Sequence, residues 1–229
     1  MEASSTGPGR AIPAPWLFAN RAAHHQSPLS AFGTVSQYLG RKTIFSEGDK
    51  ADRSYCVLAG AVRLFVTKSG GDRIVIGFAL PGDFFGIEWL GQHTLSAETI
   101  DGATLVCFGS KQLKCLEDEN KVVREELLLI LRYNLWATQS HIATLSRHSA
   151  LERVATFLVE LLDRSGNLEK LIDVPMSRED IGDYLGLTIE TVCRTLTELK
   201  QRKLIDTPSR RGIMIRNERA LRAVAEPAS

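Results

Sequence analysis

Between Ser177 and Ile205 apolar residues recur at helical spacing in two short runs separated by a break. Ile181, Tyr184 and Leu185 fall on one face of a first helix, and Val192, Leu196 and Leu199 form the stripe of a second. Ser177 followed three residues later by Asp180 reads as a capping box with a shortened carboxylate. Gly186 is placed to end the first helix in the left-handed conformation that costs least without a Cβ. Thr188 then caps the second helix. Helix, glycine-containing turn and helix in so short a stretch predict a helix-turn-helix.

Upstream, a helix is predicted over about Val122 to Ser146. Leu128, Leu131, Leu135, Thr138, Ile142 and Leu145 alternate at spacings of three and four, the arrangement of an a/d seam. Such a helix spans roughly 37 Å. It either lies across its own domain or packs against a second copy. Pairing is the stronger expectation, because reading a palindromic DNA site requires two chains. Thr138 is the weak position in that seam. SALERVATFLVELLDRSGN follows as another helix with Val154, Phe157, Leu158 and Leu161 facing inward, and LIDVP leads into the helix pair. Beyond the pair, KLIDTPSRRGIMIRN reads as a hairpin, a wing beside the second helix.

From Leu29 to about Leu116 the period changes to short strand-like runs, SYCVLAG, AVRLFVT, DRIVIGFAL and ATLVCFG. The predicted turns are at Gly60, Ser69-Gly70-Gly71, Pro81-Gly82-Asp83 and Asp101-Gly102. This predicts an antiparallel sandwich or barrel such as a jelly roll, with Cys56 and Cys107 in its core. Residues 1–28, rich in Ala, Pro, Ser and Gly, read as a disordered arm. The fold class is therefore α+β: arm 1–28, β domain 29–120, dimerisation helix 121–147, and winged helix-turn-helix domain 148–229.

Composition sharpens this picture. A net charge of +1 over 229 residues excludes a bulk polycation, so a nucleic-acid surface must be local. From Arg194 to Arg222 nine basic side chains face three acidic ones, a local +6 suited to phosphate contacts. The four cysteines form no CxxC pair, and no apolar run approaches membrane-spanning length, so a reduced cytoplasmic setting is expected. His24 and His25 lack further ligands for a metal. No nucleophile–base pair or phosphate-cradling glycine loop points to an enzyme.

Glu190, Cys193 and Arg194 project together near the start of the second helix. Arg can donate twice to guanine O6 and N7, and Glu can accept from cytosine N4. The competing reading is a surface helix with a Glu–Arg ion pair one turn apart. Thr188 and Thr191 are candidates for phosphate contacts, and Arg210 and Arg211 for the phosphate backbone beside the groove.

With β domain, long helix and C-terminal helix-turn-helix in this order, the chain resembles the Crp–Fnr family of bacterial transcription regulators. The markers are LAGAVRLF, LPGDFFG, SALERVATFL and YLGLTIETVCRTLTELKQRKLI. Ile189 to Arg194 is similar to the E-x-x-S-R reading motif of the Fnr and FixK branches. The resemblance implies a cyclic-nucleotide-binding-like β domain, a homodimer, TTGAT-type half-sites in an inverted repeat, and recruitment of RNA polymerase as an activator in the response to oxygen limitation. Ile189 stands where the Crp branch carries an additional Arg.

Three departures follow. Cys193 replaces the motif's Ser, as a small residue packing near a thymine or as a redox switch. The first 55 residues hold no cysteine, so no iron–sulfur cluster is expected. Leu95-Ser96 stands where the family's Arg-Ser meets a cyclic-nucleotide phosphate, and Glu88 is shifted by one place, so no cyclic nucleotide is expected either. The alternative is a sensor whose β domain must first bind haem or a small molecule, with His141 or His93 as a ligand.

Overall fold

The structure is a computed structural model that describes residues 29, 32–88, 90–146, 149–167 and 169–225. The arm expected over 1–28, with His24 and His25, lies outside the described residues.

The β domain is built from β1 (Thr34–Leu39), β2 (Thr43–Phe45), β3 (Arg53–Thr67), β4 (Arg73–Ala79), β5 (Phe84–Phe85) and β6 (Ser96–Gly109). They form an antiparallel sheet ordered β1-β6-β3-β4, with β2 on β6 and β5 on β3. The runs SYCVLAG and AVRLFVT, expected as two strands, are one strand of 15 residues. Gly60 is a point of register shift rather than a chain reversal. Its φ is +84°, and a Cβ there would stand 2.3 Å from the Gly102 carbonyl oxygen. Asp101-Gly102 likewise sits inside β6 as a bend. Glycine signals a bulge as readily as a turn, and here close backbone approach decides for the bulge. The expected reversal at Ser69-Gly70-Gly71 is real: the Lys68 amide donates to the Asp72 carbonyl at 2.8 Å between β3 and β4. Cys56 is buried as expected, whereas Cys107 is only half-buried.

α1 (Ser110–Glu119) follows, and its few apolar positions gave it no sequence signal. Asn120 then caps α2 (Lys121–Leu145), accepting from the Val122 amide at 3.0 Å. Val123 and Leu127 of α2 are buried against the β domain. The seam is largely open: Leu128 is 45% exposed, Leu135 60% and Ile142 59%. Leu145 and Thr138 are also exposed, and Leu131 is half-buried.

The C-terminal domain begins with α3 (Ala150–Ser165), capped by Ser149 at its start and ended by Gly166 at φ +57°. Val154, Phe157, Leu158 and Leu161 face its core. LIDVP, expected only as a lead-in, contributes β7 (Leu171–Asp173), because Ile172 is buried opposite Ile213 of the hairpin. α4 (Arg178–Leu185) and α5 (Ile189–Gln201) are the helix pair. β8 (Ile205–Asp206) and β9 (Gly212–Ile215) form the wing and complete a small sheet ordered β7-β9-β8. α6 (Glu218–Ala225) closes the domain on α3, where Arg222 Nη1 donates to Asp163 Oδ2 at 3.0 Å.

The two domains are packed together. The C-terminal core takes in Ala61 and Ile100 of the large sheet, with Phe78 and Leu80 against it. Tyr184 of α4 meets Phe78 at 5.2 Å between ring centroids and stacks on His141 of α2 at 3.9 Å. Burial holds the His141 imidazole below its ordinary titration range. Arg164 of α3 donates to Asp83 at 2.5 Å and to the Tyr133 hydroxyl at 3.1 Å.

The Gly60–Gly102 crossing predicts two different costs. Gly60→Ala combines a left-handed backbone with a backbone clash and should lower stability by about 3 kcal/mol. Gly48→Ala, also at positive φ (+86°) but with open space around it, should cost about 1 kcal/mol. Paired urea titrations check the difference.

Candidate nucleic-acid interface

Which residues α5 exposes depends on how the helix pair is held. Ser177 Oγ accepts from the Asp180 amide at 3.0 Å while Asp180 Oδ2 accepts from the Ser177 amide at 3.0 Å, the reciprocal capping box. Gly186 ends α4 at φ +63°. The Leu187 amide returns to the Gly182 carbonyl at 2.9 Å, and a Cβ on Gly182 would stand 2.7 Å from the Leu187 oxygen. The turn is therefore tight enough that α4 fixes the direction of α5. Thr188 Oγ1 accepts from the Thr191 amide at 3.2 Å and caps α5. Val192 and Leu199 are fully buried and Leu196 nearly so, which turns the opposite side of α5 to solvent.

On that side stand Glu190, Cys193 and Arg194, all exposed. Among the described residues Arg194 makes no ion pair, so the Glu190–Arg194 bridge of an ordinary surface helix is not formed. Glu190 instead turns back to its own amide and the Thr188 hydroxyl, which hold its carboxyl below the usual range and keep it charged. An ionised carboxylate acceptor and an unpaired guanidinium, on the first turns of a helix, are the donor–acceptor pattern that can be matched to base edges. Thr188 and Thr191 are hydroxyl to hydroxyl at 3.1 Å at the same end.

Arg178 was missed in the sequence. It is the first residue of α4 and lies beside Cys193, half-buried, and makes no hydrogen bond or ion pair among the described residues. Burial pushes its guanidinium down, with Cys193 acting in the opposite sense. The overlooked signal is its position: a helix N-terminus favours anions, so a cation there works against the macrodipole unless an outside anion meets it.

The basic stretch divides into two groups. Lys200 and Arg216 hold Asp206 at 3.1 and 3.2 Å. Together with the Thr207 amide, the leading contact, they bring the Asp206 carboxyl down to about 2. Arg202 pairs with Glu198, and Arg222 with Asp163 and Glu218. Arg211, expected to hold phosphate, is paired with Asp101 of the β domain. Among the described residues Arg194, Lys203, Arg210 and Arg219 carry no ion pair, and Arg210 stands exposed in the wing loop. The set of cations open to phosphate is thus smaller than the sequence count.

Between the two domains a groove of about 790 Å³ runs along β4, β5 and α2 to Arg164 of α3 and Tyr184 of α4, lined by apolar residues including Ile74, Ile76, Phe85, Leu131 and Trp136. Leu95 faces it, while Ser96 Oγ accepts from the Glu47 amide at 3.0 Å and Glu88 accepts from Thr94 at 3.0 Å. Arg164 is the cation on its described lining and is already held by Asp83. These residues do not fit a cyclic-nucleotide phosphate, which would lie there without an available cation. His141 lines the groove but is stacked on Tyr184. His93 is buried and stacked on Phe45 at 3.6 Å. Among the described residues no group of three or more His, Cys, Asp or Glu is arranged to hold a metal, and no helix is long and apolar enough to cross a membrane.

Residues 152–224 match the Crp-like helix-turn-helix domain and residues 35–120 the cyclic nucleotide-binding domain. The nitrogen fixation regulation protein FixK of Rhizobium meliloti (strain 1021) is 40% identical over 198 residues, 86% of this chain and 90% of that protein. The transcriptional activatory protein AadR of Rhodopseudomonas palustris is 41% identical over 180 residues, 74% of this chain and 72% of that protein. The solved structure of FixK2 from Bradyrhizobium japonicum superposes with a TM-score of 0.78 at 36% identity, covering 86% of this chain and 99% of that one. With both domains matched in order and relatives about 40% identical over most of the chain, the chain belongs to the Crp–Fnr family of DNA-binding transcription regulators, and within it to the FixK-like members.

Proposed function

We propose that the chain acts in the cytoplasm as a homodimer that reads TTGAT-N4-ATCAA-type palindromes and activates transcription by recruiting RNA polymerase through exposed loops of both domains. The observation that carries this reading is the exposed, unpaired Arg194 beside an ionised Glu190 at the start of α5. The apolar seam of α2, left open along Leu128, Leu135 and Ile142, supports pairing with a second copy. In this reading Arg194 and Glu190 contact bases, Thr188 and Thr191 assist at the same helix end, and Arg178 and Arg210 hold phosphates. Arg211 joins them only on leaving Asp101.

Cys193 supports an added layer of control. It is exposed on the reading face, between the two base-reading side chains and next to Arg178. Attack of its thiolate on hydrogen peroxide breaks the O–O bond, forms a sulfenic acid and releases hydroxide, which takes a proton from solvent to become water, placing a bulkier polar group where a base must approach. The groove between β4, β5, α2 and the C-terminal domain favours a second reading, in which a small apolar effector must bind before DNA does.

Fluorescence anisotropy on a TTGAT-N4-ATCAA duplex, with reduced protein and no added ligand, separates these readings. The proposal expects sequence-dependent binding over a scrambled duplex at equal salt, whereas binding that appears only with an effector favours the second. Arg194→Ala should cost about 1–3 kcal/mol and relax discrimination within the half-site. Arg210→Ala should weaken all duplexes alike and lower the salt slope by about 1. Peroxide should weaken the wild type by about tenfold or more and leave Cys193→Ser unaffected. Equal responses of the two proteins would remove Cys193 from the account.

A further inference from the structure

One rung of the large sheet faces the DNA-reading domain. Arg63 of β3 is in register with Glu98 of β6 on one side and Phe78 of β4 on the other. Across from this rung, Asp180 and Tyr184 lie one turn apart on the same face of α4. The two surfaces meet at two points. Arg63 donates to Asp180 and, at 2.6 Å, to Glu98, while Phe78 packs on Tyr184. Arg73 supports Glu98 from the side at 3.6 Å. A single contact would leave α4 free to swivel. Two contacts one helical turn apart fix both its position and its rotation on the sheet.

The charged contact is deeply buried. Arg63 is 9% exposed and Asp180 3%. Two ions removed from water recover in attraction about what they lose in hydration, so such a pair adds little net stability over an apolar one. Its distinguishing property is geometric, since a guanidinium and a carboxylate hold one orientation where packed methyl groups tolerate several. Asp180 is also the residue that caps α4, and the tight turn after Gly182 passes the orientation of α4 on to α5.

We propose that Arg63, although it touches no DNA, is a positioning residue for sequence reading: through Asp180 it sets the angle of α5 on the β domain. In the dimer this angle sets the separation between the two reading helices, and with it the half-site spacing the protein accepts. The inference rests on the homodimeric, palindrome-reading proposal above. Two reading helices must meet grooves one helical turn apart, and one added base pair both lengthens and rotates that relation.

The test is a series of duplexes carrying TTGAT and ATCAA separated by N3, N4, N5 or N6, titrated by anisotropy against the full chain. The variants are Arg63→Gln, Asp180→Asn and the double variant. Asn keeps an acceptor for the Ser177 amide, so the α4 cap survives. Wild type is expected to prefer N4. Both single variants should bind N4 within about threefold of wild type, while their preference for N4 over N5 falls about tenfold. The double variant should lose no more preference than either single one, as expected for two ends of one contact. Folded variants that keep the wild-type preference would overturn the proposal. So would variants that lose affinity equally for every spacer, the mark of a merely structural contact. Failure of wild type itself to bind any spaced pair better than a lone half-site would instead remove the palindrome reading beneath it.

Discussion

Asp180 carries two obligations with one carboxylate. One oxygen closes the capping box that starts α4; the other receives the buried guanidinium of Arg63 from the β domain. Few side chains in the protein tie a local rule of helix formation so directly to the relation between domains. A cap alone orients the first turn of a helix, and an ion pair alone holds two surfaces near each other. Joined at one residue, they make the direction of α4 a property of the β sheet. Because α5 follows α4 through a turn too tight for a Cβ at Gly182, the exposed face of α5 inherits that direction.

The charged residues of the C-terminal domain separate by what they touch. Lys200, Arg202, Arg216 and Arg222 hold the domain to itself, binding the wing to α5 and α6 to α3. Arg63, Arg164 and Arg211 hold it to the β domain through Asp180, Asp83 and Asp101. Among the described residues, what remains available to an external polyanion includes Arg178, Arg194, Lys203, Arg210 and Arg219. A modest net charge is thus compatible with a DNA-binding surface, since binding draws on the few cations without internal partners rather than on the total.

Local chemistry made the helix-turn-helix legible. The capping residues, the glycine after Leu185 and the apolar stripe of α5 all act within a few residues, so their pattern could be read directly. The α2 helix was legible for the same reason. Gly60 and Gly102 were misread as turns because a glycine reports only that the backbone needs freedom, and the reason, one strand crossing close to another, lies more than forty residues away. β7 and α6 escaped notice because each is short and gains its place by packing on a distant partner. The Arg63–Asp180 pair spans 117 positions, and no periodicity could have joined them. Arg178 could have been suspected from its unfavourable place at a helix start.

The claim at the centre of this account is that two copies, each with its reading helix set by its own β domain, engage one palindrome together. Native mass spectrometry of the reduced protein with a TTGAT-N4-ATCAA duplex tests it most directly. The account predicts a dominant species of two chains per duplex, persisting at protein concentrations where a single half-site holds almost none. A dominant complex of one chain per duplex, with equal affinity for the single half-site, would contradict it.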